Sequence, residues 1–190
     1  MTTTMTTTTV RRIVTENQPV LTMRNPNTPH NFGPISYREQ TLYTAERPGH
    51  FIKEYPPRIV DDWIQHIQTN GIQNVLIIMD ENEFDVYKPQ DLIEVYRTAG
   101  LTVHHIPFNS SNSYDKIMTL LTELENRNEK VVSHCSGGKG RCGRVACAWL
   151  CKKYPFLSPL EASQEFIDQA VENGLYRLAD VQKLKKWIQY

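Results

Sequence analysis

A cysteine, a run of glycines and an arginine fall together in Val131-Val132-Ser133-His134-Cys135-Ser136-Gly137-Gly138-Lys139-Gly140-Arg141-Cys142-Gly143-Arg144. The residue types suit attack on a phosphate. A thiolate is the nucleophilic form of cysteine, and helix N-termini or neighbouring cations lower its pKa from about 8.5 to roughly 3.5–7.5. Cys135 lies between an apolar run and a helical pattern beginning near Cys142, whose positive end would face back toward the sulfur. Gly137, Gly138 and Gly140 let the amides of Ser136 to Arg141, Lys139 included, turn inward as an anion nest. Arg141 supplies a planar fork matched to two phosphate oxygens. Such donors also stabilise the charge spread over a phosphoryl group in transfer.

Cys-x5-Arg alone is a weak signal. The preceding strand, His134 and the glycines make it specific, whereas a nucleotide-binding P-loop fits poorly because no Lys-Ser/Thr pair follows the glycines. The loop resembles the signature of cysteine-dependent protein tyrosine and dual-specificity phosphatases, His-Cys-x5-Arg followed by Ser or Thr. Gly71-Ile72-Gln73-Asn74-Val75, Tyr87-Lys88-Pro89-Gln90-Asp91-Leu92 and Gly100-Leu101-Thr102-Val103-His104-His105 extend the resemblance to the cyclin-dependent-kinase-associated subgroup and its bacterial relatives, over roughly residues 35–188. The resemblance implies that Cys135 is the nucleophile and Arg141 the phosphate clamp. It also implies a phosphocysteine intermediate hydrolysed by water, and a His134 that holds the loop and tunes the thiolate. It implies a phosphoprotein substrate, with no cofactor and no metal.

The chain departs from the family pattern twice. Cys142 stands where Ser or Thr helps the sulfur leave, and a thiol is a weaker donor, so the intermediate would hydrolyse slowly. Cys142 also reads as a partner for an oxidised Cys135, or as a small apolar filler at a helix start. The family's acidic proton donor is missing from His105-Ile106-Pro107-Phe108-Asn109-Ser110, where Asn109 and Ser110 occupy its place. Asp115, which also reads as an N-cap, and Asp80, in an acidic loop after the Val75–Met79 run, are the remaining candidates. Lys139 resembles a lysine of phosphoinositide-cleaving members. The readings left beside a phosphotyrosine or dual-specificity protein phosphatase are a phosphoinositide or inositol-phosphate phosphatase, an RNA 5′-triphosphatase and a weakly active phosphate-binding pseudophosphatase.

The elements that must position these residues alternate. Strands are expected at Ile35–Tyr37 with Thr41–Tyr43, Asn74–Met79, Thr102–Ile106 and Lys130–His134. Helices are expected at Arg58–Thr69, Pro89–Thr98, Asp115–Asn126, Gly143–Lys153, Pro159–Glu172 and Ala179–Ile188. Trp63, Ile64 and Ile67 recur at helical spacing as core. The alternation predicts a single α/β domain, a mainly parallel sheet flanked by helices, with ligands at the carboxyl ends of the strands. Residues 34–190 are assigned to the domain and 1–33 to a flexible tail, on the hydroxyl-rich start and Asn25-Pro26-Asn27-Thr28-Pro29.

With 190 residues the chain suits one domain. Twenty-one basic and 21 acidic residues cancel, which argues against nucleic acid as a partner. No apolar run is long enough to span a membrane. All four cysteines lie between 135 and 151, a distribution unlike a secreted disulfide scaffold or a zinc site and suited to a reducing cytoplasm.

Overall fold

The structure, a computed structural model, describes residues 11–50 and 57–188. Its main sheet is built from β2 (Gly33–Pro34), β3 (Leu42–Glu46), β4 (Asn74–Ile77), β5 (Thr102–His105) and β6 (Val131–Cys135) in the order β2-β3-β6-β4-β5. Only β2 runs antiparallel to its neighbour. β4 and β6 are buried along their whole length, as expected of apolar runs at the centre of a parallel sheet. At the sheet's edge, β5 is exposed to half-buried.

Successive strand residues serve opposite faces. Val75 and Ile77 pack with α1 (Pro57–Thr69) and α2 (Leu92–Thr98), where Trp63, Ile64 and Ile67 are buried as their spacing predicts. Leu76 and Ile78 face α3 (Ser113–Asn126), α4 (Gly140–Lys153), α5 (Pro159–Glu172) and α6 (Val181–Trp187). The caps are chemical: Ser158 and Glu161 form a capping box opening α5, and the Asp180 carboxylate accepts from the Lys183 N–H at 3.0 Å to open α6. Among the described residues no helix is long and apolar enough to cross a membrane.

The α/β architecture agrees with the sequence reading, but several boundaries move. β3 continues to Glu46 because it pairs with β6 through Cys135. Glu81–Tyr87, which begins within the acidic stretch read as a loop, forms a 3-10 helix. Leu178–Ala179 is the short strand β7 rather than the start of α6, and it pairs with β1 (Val20–Leu21). That pairing ties part of the N-terminal segment to the domain. Residues 1–10 lie outside the described residues, but from residue 11 the segment is anchored. The Val14 N–H donates to Gln164 at 2.7 Å, Thr22 is buried, and fully buried Asn31 bonds Tyr176 and the Gly137 carbonyl.

Candidate active site

β6 ends at Cys135 and α4 begins at Gly140, so only four residues separate strand from helix. The helix starts earlier than expected, and Arg141 already lies in its first turn. Gly138 has φ +64°, and a Cβ there would stand 2.4 Å from the Ala45 carbonyl carbon. Both the conformation and the closeness of β3 therefore demand glycine. Gly143 meets a similar limit one turn on, where a Cβ would lie 2.3 Å from the Leu178 oxygen. It is the close approach of α4 to β7 that requires it.

Other groups hold the loop from outside. The Arg47 N–H donates to the carbonyls of Cys135 and Ser136 at 3.0 and 3.1 Å. The Ser136 hydroxyl lies 3.3 Å from His50 Nδ1. Arg177, fully buried, donates to the carbonyls of Asn31 and Thr44 at 2.7 and 3.0 Å.

Cys135 sits at the base of the loop, 3% exposed. Its Sγ is 3.5 Å from Cys142 Sγ. The Cys142 thiol donates to the Cys135 sulfur, and burial opposes ionisation. The Arg141 charge and the Cys142 and Gly138 amides favour it, and the pKa falls to about 6. Burial and the neighbouring sulfur push Cys142 the other way, so it keeps its proton and remains the donor. Cys142 touches the candidate nucleophile and is at the same time fully buried in the core, so contact with Cys135 and packing at the helix start coexist.

Arg141 Nη2 donates to Glu83 Oε1 at 2.6 Å, and Nη1 donates to Glu83 Oε2 and, at 3.4 Å, to the Ile78 carbonyl. Glu83 is itself fixed, accepting from the Asp80 N–H at 2.8 Å. Burial disfavours its charge, but Arg141 and this amide hold its pKa below the ordinary carboxylate range. The guanidinium has five N–H donors, and Glu83 takes it end-on, leaving the Nε edge without a hydrogen bond among the described residues. Glu83 escaped the sequence reading as an individual residue. Its signal was the Asp80-x-x-Glu83 capping-box spacing, which marks a short helix where a loop was expected.

His134 is fully buried, edge-on to Trp63, with Nε2 3.3 Å from the Tyr96 hydroxyl. Burial lowers its pKa to about 3, so it is neutral and helps fix the end of β6. Lys139 places its Nζ 4.5 Å from the Tyr176 ring centroid, a cation–π contact to the side of the loop.

Among the described residues neither proposed proton donor hydrogen-bonds Cys135 or Arg141. Asp80 Oδ2 accepts from the Asn109 amide at 2.7 Å. Asp115 is exposed and is the third residue of α3, so it does not cap the helix; Asn112, with φ 56°, occupies that position. Its place in the first turn still suits the helix dipole.

This geometry has relatives. Residues 36–163, more than half of the chain, match the family model of cyclin-dependent kinase inhibitor 3 (CDKN3). The Rattus norvegicus protein of that name is 29% identical over 134 residues, 68% of this chain and 63% of its own length. The Homo sapiens protein is 27% identical over the same shares. The matches thus span less than two thirds of those relatives. Among solved structures, kinase associated phosphatase with its catalytic-site cysteine changed to serine has a TM-score of 0.68 at 22% identity, covering 85% of this chain and 93% of that one. The active form of Tk-PTP has a TM-score of 0.56 at 21% identity, covering 82% and 94%. These two likenesses are of fold. The family match, covering β3 to β6 of the sheet, the Cys135–Arg141 loop and the start of α5, carries the assignment: the chain belongs to the cyclin-dependent kinase inhibitor 3 family.

Proposed function

We propose that this chain is a cysteine-dependent phosphatase that hydrolyses phosphomonoesters of phosphoproteins, phosphotyrosine foremost, in a reducing cytoplasm. The observation that carries the reading is the convergence of a readily ionised, buried sulfur with an oriented guanidinium at one glycine-bounded loop. The ester phosphate rests on the amides of Ser136 to Arg141 and against the Nε edge of Arg141. The Cys135 thiolate attacks phosphorus, the S–P bond forms as the P–O bond breaks, and the departing oxygen takes a proton from solvent. Water then attacks phosphorus, releasing phosphate and regenerating the thiolate. Solved fold neighbours that are named phosphatases, one with a cysteine in its catalytic site, support the same reading.

The test is acid quenching of a reaction with a radiolabelled aryl phosphate, followed by peptide mapping. Label is expected on the peptide carrying Cys135. A turnover without such label, or one abolished by chelators, overturns the mechanism.

Cys142 sharpens the expectation. Its thiol is a weak donor to the departing Cys135 sulfur, so the phosphocysteine should accumulate in the steady state. Cys142→Ser is expected to reduce that accumulation severalfold. The same variant tests the 3.5 Å sulfur contact as a redox pair. Hydrogen peroxide, with a proton from solvent, oxidises the Cys135 thiolate to a sulfenic acid, releasing water. The Cys142 thiol then displaces the hydroxyl, forming the disulfide and a second water. Peroxide inactivation should be reversed by dithiothreitol in the parent and much less so in Cys142→Ser.

Glu83 acts on Arg141 rather than on substrate. Glu83→Gln keeps the shape but removes the charge that fixes the guanidinium. It is expected to lower kcat/KM for an aryl phosphate about tenfold, the scale of one charge-assisted hydrogen bond. Steady-state kinetics decide this, and an unchanged or raised kcat/KM would show that Glu83 obstructs the clamp.

A further inference from the structure

Beside the loop lies a cleft of about 810 Å³ that the proposed chemistry does not use. One wall is the Phe108–Tyr114 turn and the start of α3; the other is α6 with Arg144 of α4 between them. Its lining carries Arg144, Lys183 and Lys186 against the single carboxylate of Asp115. Asp180, next to the cleft, pairs with Lys183 at 3.2 Å, and its charge also acts on Arg144. Among the described residues no carboxylate lies within ion-pair distance of Arg144 or Lys186. Arg144 is nonetheless held in place, its guanidinium carbon 4.4 Å from the centroid of the Phe108 ring.

The cleft is contiguous with the loop. Arg144 follows Arg141 by three residues on α4, so the two share a helix face with Cβ atoms about 5–6 Å apart. The Ile78 carbonyl accepts from both Arg141 Nη1 and the Phe108 N–H, each at 3.4 Å. A phosphorylated side chain seated at Arg141 would place its flanking residues within reach of the mouth of this cleft. In an extended chain the second residue along lies about 6–7 Å away, within reach of a guanidinium one helical turn from the clamp.

We propose that this cleft is a second anion subsite, and that it selects phosphopeptides with an acidic or second phosphorylated residue about two positions from the phosphate that is cleaved. The inference rests on the phosphatase reading and adds its substrate class. Arg144, fixed on Phe108 and only partly hydrated, supplies the specific contact, and Lys186 adds charge at the rim. A carboxylate and a phosphate share the chemistry that would be recognised, a compact anion bound by a fork of N–H donors.

The experiment compares kcat/KM for three phosphotyrosine peptides that differ at one position, two residues away: Gln, Glu or phosphoserine. For the parent protein, Glu should exceed Gln about fivefold, the value of one favourable ion pair, and phosphoserine should exceed Glu. In Arg144→Gln the ratio of acidic to neutral peptide should fall to about one. Lys186→Gln, at an exposed position, should reduce it partway and carries the test if Arg144→Gln does not fold. Equal values for the three peptides in an active parent overturn the subsite alone. So does a preference that survives in both variants. A preference for phosphoinositide vesicles over all three peptides, lost in Arg144→Gln, would overturn the peptide as occupant. Failure to turn over any aryl phosphate would instead strike the phosphatase reading, so the two failures are distinguishable.

Discussion

Cys135→Ser is expected to lower kcat/KM for an aryl phosphate by at least about 10⁴-fold, the scale on which loss of a nucleophile acts. A hydroxyl in the same place stays protonated near neutrality, so it has the cradle but no charge with which to attack. The cradle and Arg141 do not depend on the sulfur, and inorganic phosphate should still bind. In the parent, the Cys142 thiol, Arg141 and the Cys142 and Gly138 amides favour the thiolate against burial, setting the pKa at about 6. The sign follows directly. Below that pH the sulfur is protonated and kcat/KM falls; above it the anion is present and the rate levels off. Alkylation by iodoacetate should titrate over the same range and be slowed by phosphate. A sulfur that titrates near the free-thiol value of about 8.5 would remove the basis of the mechanism.

The parts of the site legible in the sequence are those that are local in the chain. Cys135, the glycines and Arg141 lie within seven residues, and a strand-to-helix turn brings such residues together whatever surrounds them. The α/β alternation was legible for a similar reason. β4 and β6 are continuous apolar runs, and Trp63, Ile64 and Ile67 repeat at helical spacing within one element.

What escaped the sequence reading depends on long-range pairing. Glu83 meets Arg141 across 58 positions, and nothing in either residue's neighbourhood names the other. Asn31 braces the Gly137 carbonyl across 106 positions from a polar, proline-rich segment whose composition alone reads as a tail. The two-residue strands β1 and β7 are too short to show any period and exist because each pairs with the other. α4 begins at Gly140, three residues before the expected Gly143, where the glycine-rich turn hides the helical period. In this turn, however, Gly140 is helical, and the Gly143 N–H bonds the Lys139 carbonyl at 2.8 Å.

Aryl phosphates are expected to be cleaved about 10²–10⁴-fold faster than alkyl phosphates of similar size, the factor a general acid would otherwise supply to the poorer leaving group. A phenolate departs with a conjugate-acid pKa of about 10 and needs little help. An alkoxide is far more basic and must be protonated as it leaves. The position expected to hold the acid is Asn109, whose amide has no proton to give near neutrality and is engaged as a donor to Asp80 at 2.7 Å. Matched phosphotyrosine and phosphoserine peptides provide the measurement, and equal rates would show that some other group protonates the leaving oxygen. The pH profile carries the same information: with no acid to lose its proton, kcat/KM should show no basic limb. Asn109→Asp completes the test. It places a carboxyl within hydrogen-bond distance of the Asp80 carboxylate, and two like charges that close raise the pKa of one of them. The variant therefore gains a proton donor that works nearer neutral pH. Phosphoserine turnover should rise, the phosphotyrosine rate should change little, and a basic limb should appear where the parent has none.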